Sequence, residues 1–326
     1  MESLSSSPVG NMKLSELIKP WTTGKSNPRY ERYKIEGKAY GMSRVRDVKY
    51  MLKHVEDYRP MKMIAKEFTR GDALDLRGWL LTVELKNKSR TVNKVISALK
   101  TVYSEAIYRG ELIYNPFAGI GEVKYEQKKK RILTIEQVIE LLKPEHWTSK
   151  TARQFCSLLI YTGMRFSELA ALDWKNINVD IMLINSAFKS DSANDLGLPK
   201  WDKIREIKMP QTALAALPPK GIGLVFLVNG HRFYHKWFRD ELTDAIKKAK
   251  VDVITPHSFR HLINSKLLLG NVSPYLIQKY LGWSSGSSLI TKVQEGYTHI
   301  TSNDLQIVAD AIDLIYTQKK NKVSSK

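Results

Sequence analysis

The stretch SRTVNKVISALKTVYSEAIYRG, residues 89–110, limits what this chain can fold into more than any other. Val92, Val95, Ile96, Leu99, Val102 and Tyr103 recur at three- and four-residue steps, so they lie on one stripe of a helix. A stripe of that width is stable only when other helices cover it. The neighbouring sequence supplies them. SRVRDVKYMLKHVEDY carries Val45, Val48, Met51, Leu52 and Val55 at the same spacing. TRGDALDLRGWLLTVEL opens on Thr69, a capping residue, with Asp72 close behind. Residues from about Tyr30 to Ala118 therefore read as a helix bundle, with Gly110 stopping the long helix and NPFAGI breaking the pattern after it.

Beyond the bundle, EVKYEQKKKR at 122–131 is charged and has no apolar stripe, which marks a linker. A second domain starts at ILTIEQVIELL, with Thr134 as the cap and Glu136 in the first turn. One helix ends at Gly163 and RFSELAALDW forms the next. DIMLINSAF and REIKMP read as short strands separated by the long polar segment KSDSANDLGLPKWDKI. Helices follow near 231–250, 257–269, 273–281 and 304–316. The expected organisation is a flexible N-terminus at 1–28, a helical domain at 29–121, a linker at 122–131, a second domain at 132–317 and a basic tail at 318–326. The class is mainly α with a small antiparallel β-sheet, an α+β arrangement.

Charge narrows the function. The formal net charge is +19. Residues 1–130 hold 26 Lys and Arg against 15 Asp and Glu, a surplus of +11, and residues 131–326 hold 26 against 18, a surplus of +8. A surplus in both halves suits a polyanion that both touch, most simply nucleic acid. No apolar run approaches the roughly 18 residues of a membrane span, and MESLSSSPVG lacks the basic and apolar regions of a secretory signal. An intracellular protein, in the cytoplasm or on the nucleoid, is expected. Cys156 is the only cysteine, which excludes an internal disulfide and reads as a small buried hydrophobe.

The motifs YTGMRFSELAALDWKNI, PHSFRH, YLGW and EGYTHI occur in that order. Singly each is weak; together they resemble the tyrosine recombinases, the lambda-integrase-like family. The stretch from SRTVNKV to NPFAGI resembles that family's core-binding domain and ILTIEQVIELL the start of its catalytic domain. The resemblance spans roughly residues 40–315. It implies double-stranded DNA as substrate, strand cleavage through a 3′-phosphotyrosine, self-association into a tetramer on DNA, and no cofactor or metal.

The chemistry explains the residue types that the resemblance selects. Attack on a DNA phosphodiester places extra negative charge on the non-bridging oxygens, which two guanidinium forks, Arg165 and Arg260, suit. His257 sits three residues before Arg260, on the same helix face. Tyr297 follows in order as the nucleophile, a phenol of ordinary pKa about 10 that needs proton removal and a positive surround. Trp283 stands where many family members carry His, and its indole N–H can donate to phosphate. Trp283 and Tyr297 are 14 positions apart, a longer spacing than the family leads one to expect. The leaving 5′-oxygen needs a proton, and the family's usual donor is a hairpin Lys. Lys189, directly after the first strand, is the first choice, with Lys200 and Lys203 competing. Tyr280 and His261 read as structural, Glu168 as a group orienting backbone or an Arg, and His299 has no derivable role. SNDLQIVADAIDLIY has an apolar face that is expected to dock on a neighbouring protomer, with Ser302 or Asn303 as its cap. The alternatives are a topoisomerase-IB-like nicking and closing enzyme and a non-catalytic DNA-binding protein of the same fold.

Overall fold

The computed structural model describes residues 11–38, 40–126, 131–189, 196–200, 203–283, 300–301 and 303–317. The chain divides into two compact units, residues 1–128 and 129–326, each built around its own apolar core.

The first unit contains α1 (Leu14–Thr22), α2 (Pro28–Ile35), α3 (Met42–Lys53), α4 (Arg70–Trp79) and α5 (Ser89–Tyr108). Helix α5 buries the whole stripe from Val92 to Tyr103, as its spacing requires. Thr69 caps α4 reciprocally: its Oγ1 accepts from the Asp72 N–H at 3.2 Å, and its own N–H donates to Asp72 Oδ2 at 2.8 Å. Gly110 leaves the helix with φ +74°, the left-handed conformation that favours glycine.

The N-terminus departs from the sequence reading. Residues 1–28 were expected to be flexible, yet α1 lies within them and buries Leu14, Leu17, Ile18 and Trp21. These four residues keep helical spacing, and burying them outweighs the polar character of the flanking segment. Helix α2, by contrast, buries no residue. Charge holds it, since Arg29 and Arg32 bond the buried Glu105 carboxylate of α5 at 3.2 and 2.8 Å.

The second unit begins with α6 (Ile135–Leu141), capped by Thr134 as expected. Then come α7 (Lys150–Thr162) and α8 (Phe166–Ala170). Next are β1 (Ile177–Asn178), β2 (Ile181–Ile184), β3 (Ala187–Phe188), β4 (Leu196–Gly197) and β5 (Arg205–Lys208). They are followed by α9 (Gln211–Ala216), α10 (His235–Ala249), α11 (Pro256–Leu269), α12 (Pro274–Leu281) and α13 (Gln306–Thr317). Strands β1, β2 and β5 form one antiparallel sheet in that order, with Met182 opposite Ile207, and β3 pairs with β4 separately.

The stretch DIMLINSAF is thus two strands instead of one. The Asn185 side chain bonds that of Asn176 at 3.1 Å, and Ser186 Oγ donates to the Ala171 carbonyl at 3.2 Å. These bonds turn the chain out of the first sheet before Ala187. Cys156 lies fully buried in α7, and burial pushes its thiol pKa up.

The final helix also differs from expectation. Helix α13 packs in its own unit against α9, α11, α12 and β5, burying Val308, Ala309, Ile312 and Tyr316. Asp313 accepts from the backbone N–H groups of Gln211 and Thr212 at 2.7 and 2.9 Å, so α13 satisfies the open N-terminus of α9. Most of the apolar face read as a docking surface is therefore core in cis, with Ile307 left exposed; of its expected caps, Asn303 precedes the helix, which starts at Gln306, and Ser302 lies outside the described residues. Ile312→Ala should lower the unfolding free energy by about 2–5 kcal/mol in denaturant melts. Deleting residues 303–326 should abolish cooperative unfolding of the second unit; a truncated chain that melts like the full one would remove α13 from the core.

Candidate active site

Helix α7 ends at Gly163, with φ +62°. A Cβ there would lie 2.7 Å from Leu281 Cδ2, so the turn passes directly under α12. Two residues later, Arg165 is the N-cap of α8. Its backbone N–H donates to Glu168 Oε2 at 3.0 Å and its Nη1 to Glu168 Oε1 at 2.6 Å. The Glu168 side chain is wholly buried. Burial alone would raise its pKa, but the charge and hydrogen bonds of Arg205, and then those of Arg165, hold it at about 2.

Arg260 projects from α11. Thr255 and Ser258 cap this helix reciprocally and Pro256 opens it at the first position. Arg260 is 1% exposed. Its Nη1 donates to the Gly163 carbonyl at 2.9 Å and its Nη2 to the Leu281 carbonyl. Its buried Nε has no hydrogen-bond partner among the described residues. Burial, reinforced by the charges of Arg165 and Arg205, pushes the guanidinium pKa down to about 9. The Trp283 ring lies 5.2 Å from this guanidinium.

The C-terminal end of α12 draws these groups together. Four successive carbonyls each accept from a different cation. Tyr280 O takes Arg205 Nε at 2.9 Å, Leu281 O takes Arg260 Nη2, Gly282 O takes Arg165 Nη2 at 2.8 Å and Trp283 O takes Lys203 Nζ at 3.2 Å. The negative end of a helix dipole suits such a set.

His257 is exposed in the first turn of α11, its ring 4.6 Å from that of His261. It lines, with Arg165, a cleft of about 580 Å³ that His235 and Arg239 border from α10. Lys189 follows β3, is exposed, and bonds the Leu198 carbonyl across the hairpin. Its stem crosses Gly197, where a Cβ would lie 2.9 Å from Lys189 Cε. Lys200 stands at the end of that hairpin segment. Tyr280 is fully buried, donates its hydroxyl to the Lys208 carbonyl at 3.1 Å, and has its pKa raised by burial. It is core, as read. Tyr297 and His299 lie outside the described residues.

The sequence reading missed Arg205. Its signal was the alternation of β5: Ile207 faces the core, so Arg205, two residues earlier, points the same way and needs a buried acid. That acid is Glu168, gripped by both ends of the fork, Nη2 to Oε2 at 2.9 Å and Nη1 to Oε1 at 3.3 Å. Two guanidiniums thus grip one carboxylate and a third, Arg260, lies near enough to feel its charge, 3 − 1 = +2, a charge balance that suits a phosphodiester anion. Among the described residues no cluster of His, Cys, Asp or Glu is placed to hold a metal ion, and no helix is long and apolar enough to cross a membrane.

Residues 131–303 match the profile described as Phage integrase family. The chain is 26% identical over 258 residues to the tyrosine recombinase XerD of Rickettsia conorii, covering 71% of this chain and 80% of that one. It is 25% identical over 244 residues to the tyrosine recombinase XerC of Azotobacter vinelandii, covering 73% and 79%. Among solved structures it resembles the Tn1549 transposon integrase in complex with circular intermediate DNA, with TM-score 0.66, 18% identity, and coverage of 92% and 99%. The lambda integrase tetramer bound to a Holliday junction gives TM-score 0.65 at 14% identity, covering 90% and 85%.

Glu168→Gln should cost about 3–5 kcal/mol, because it leaves two buried or half-buried guanidiniums without their anion. The carboxylate's folded pKa lies below its ordinary 4.5, so its contribution is complete above that value and is lost as pH falls towards 2. Chemical melts from pH 7 down to about 2 should show the wild-type advantage shrinking across that window. A gap that stays constant would mean the carboxylate is not what holds the cluster.

Proposed function

From the premise that this chain belongs to the phage integrase family, we propose a residue-by-residue account of its chemistry. The protein is a tyrosine-type site-specific DNA recombinase, an enzyme that breaks and rejoins DNA strands. Arg165 and Arg260 hold the non-bridging oxygens of the scissile phosphate, with His257 beside them and the Trp283 indole N–H donating to the same group. The Tyr297 hydroxyl, giving up its proton, forms a bond to phosphorus, and the bond from phosphorus to the 5′-oxygen breaks. Lys189 gives that oxygen its proton. The product is a 3′-phosphotyrosine and a free 5′-hydroxyl. Rejoining reverses these steps with the 5′-hydroxyl of the exchanged strand, so the phosphoester bond energy is conserved and no nucleotide cofactor enters.

The observation that carries this reading is the state of Arg260. A guanidinium this buried, with its pKa pushed down to about 9, has neither a partner for Nε nor an anion bonded to it among the described residues. The acceptors it does have are neutral carbonyls. A phosphate held jointly with Arg165 would supply the missing charge and favour the transition state, where that charge grows.

The finer account extends to assembly and place. The helical residues 29–121 act as the core-binding domain, 132–317 as the catalytic domain, and both contact duplex DNA. Four copies act together on a junction of two duplexes, as the lambda integrase neighbour's tetramer supports. Its work on DNA suits a location in the cytoplasm or on the nucleoid.

Two experiments test the chemistry. On nicked duplex DNA, Tyr297→Phe should bind like wild type yet form no covalent adduct. An adduct that survives in this variant would sink the nucleophile assignment. Affinity in both cases should fall steeply as salt rises. Lys189→Ala should slow cleavage roughly 10²–10⁴-fold. A substrate whose 5′-bridging oxygen is sulfur should restore it, because a thiolate leaves without a proton. Lys203, whose ammonium bonds the Trp283 carbonyl, is the second candidate. If sulfur rescues Lys203→Ala and not Lys189→Ala, the proton comes from Lys203.

A further inference from the structure

Arg205 takes no part in the chemistry just described, yet it bonds both Glu168, which holds Arg165, and the end of α12, whose carbonyls hold Arg165 and Arg260. We propose that Arg205 is a positioning residue for DNA cleavage. By neutralising Glu168, it leaves the Arg165 guanidinium available to the scissile phosphate. The proposal rests on the assignment of Arg165 to that phosphate.

The geometry is a closed circuit. Arg205 grips both oxygens of Glu168 at 2.9 and 3.3 Å, while Arg165 donates to the same two oxygens from Nη1 at 2.6 Å and from its backbone N–H at 3.0 Å. Arg205 Nε meanwhile donates to the Tyr280 carbonyl at 2.9 Å, one residue before the carbonyl that holds Arg260 and two before the carbonyl that holds Arg165. The Arg205 side chain is only 9% exposed, so it acts through these contacts and not by reaching DNA itself.

Charge gives the circuit its purpose. Glu168 carries one negative charge, fully buried. If Arg165 were its only cationic partner, the carboxylate would compete with the phosphate for that guanidinium and would win much of the time, being permanently attached. With Arg205 sharing the charge through two parallel N–H bonds, the strongest form of such a pair, Glu168 orients Arg165 without neutralising it. Arg165 then holds its place through Nη1 on Glu168 and Nη2 on the Gly282 carbonyl, and keeps its remaining N–H groups for an anion.

Gly282 provides independent support. A Cβ at this position would lie 2.7, 2.8 and 2.9 Å from Nη1, Cζ and Nε of Arg205. Its φ of +67° also favours glycine. The residue after α12 is thus shaped around the Arg205 guanidinium, just where the chain passes on to Trp283.

The test uses the full chain and nicked duplex DNA bearing a site selected by this protein from a random pool. Arg205→Ala should slow covalent adduct formation about 100-fold, with little change in DNA affinity. The discriminating substrate has a neutral methylphosphonate at the scissile position, in the diastereomer that tolerates Arg165→Ala. With that negative oxygen gone, a displaced Arg165 no longer matters, so Arg205→Ala should approach the wild-type rate. Combining Arg205→Ala with Arg165→Ala should be no slower on ordinary DNA than Arg165→Ala alone. Arg205→Lys keeps a cation over Glu168 and so retains the fold, but it cannot make all three bonds. It should show a smaller loss with the same rescue, and it carries the test if the Ala variant does not fold. Equal losses on both substrates, or losses that multiply in the double variant, would show that Arg205 merely stabilises the fold and overturn the proposal. A wild-type chain that forms no adduct would remove the underlying reading and the proposal together.

Discussion

The Glu168 carboxylate lies buried between two guanidiniums, and neither partner alone would keep it charged there. Removing an ion from water costs several kcal/mol, which only close, well-directed partners offset. Arg165 reaches it from the same helix start and Arg205 from the edge of the sheet. The depressed pKa of the acid shows that the pairing more than offsets its burial. Because Arg165 and Arg205 each also bond a carbonyl at the end of α12, the ion pair fixes the mutual placement of α8, β5 and α12.

The remaining contacts build on that frame. Arg260 spans the carbonyls of Gly163 and Leu281, so it joins the end of α7 to the end of α12. The left-handed turn at Gly163 admits Leu281 where any Cβ would collide. The same residues thus hold the fold and form the proposed site. Their hydrogen bonds exist before DNA arrives, so little reorganisation is needed when charge develops on a phosphate, and that is the condition under which such groups lower a barrier most. Such a cluster is also expensive to hold without its anion. The depressed pKa of Arg260 records that expense, and a bound phosphate would relieve it.

Much of this was legible in the sequence, for reasons that differ from element to element. The α5 stripe and the caps Thr69 and Thr134 are local, and local patterns survive folding. The pairing of Arg165 with Glu168 was legible too, because three residues separate them at a helix start. What was hidden depends on partners far along the chain. The SAF of DIMLINSAF leaves its sheet because of Asn176 and Ala171. The apolar face of α13 could have served a neighbour; its burial follows from Asp313 capping α9, a link spanning about a hundred residues. Arg205 was overlooked for the same reason, since a charged residue in a short strand reads as solvent-facing until its acid is known. Helix α1 was a different failure, because Leu14, Leu17, Ile18 and Trp21 keep a regular spacing that the surrounding Ser and Pro residues obscured.

The separation between buried and exposed cations has a consequence for how such a protein divides its work. The surplus of positive charge lies in both halves of the sequence, +11 and +8 by the count above. Exposed lysines and arginines can meet phosphates anywhere on a duplex, and such contacts give affinity that salt weakens. The guanidiniums at the end of α12 are different in kind. They are few, mostly buried, and already bonded, so they add little to overall attraction for DNA. Within a Debye length of about 8–10 Å, however, their charge would act on the one phosphate that the proposed chemistry brings to them. Affinity and chemistry are thereby assigned to different residues. On the proposed chemistry, a change at the surface would alter how much DNA is bound, and a change at Arg165, Arg205 or Arg260 would alter what happens to the single phosphate that reaches the cluster.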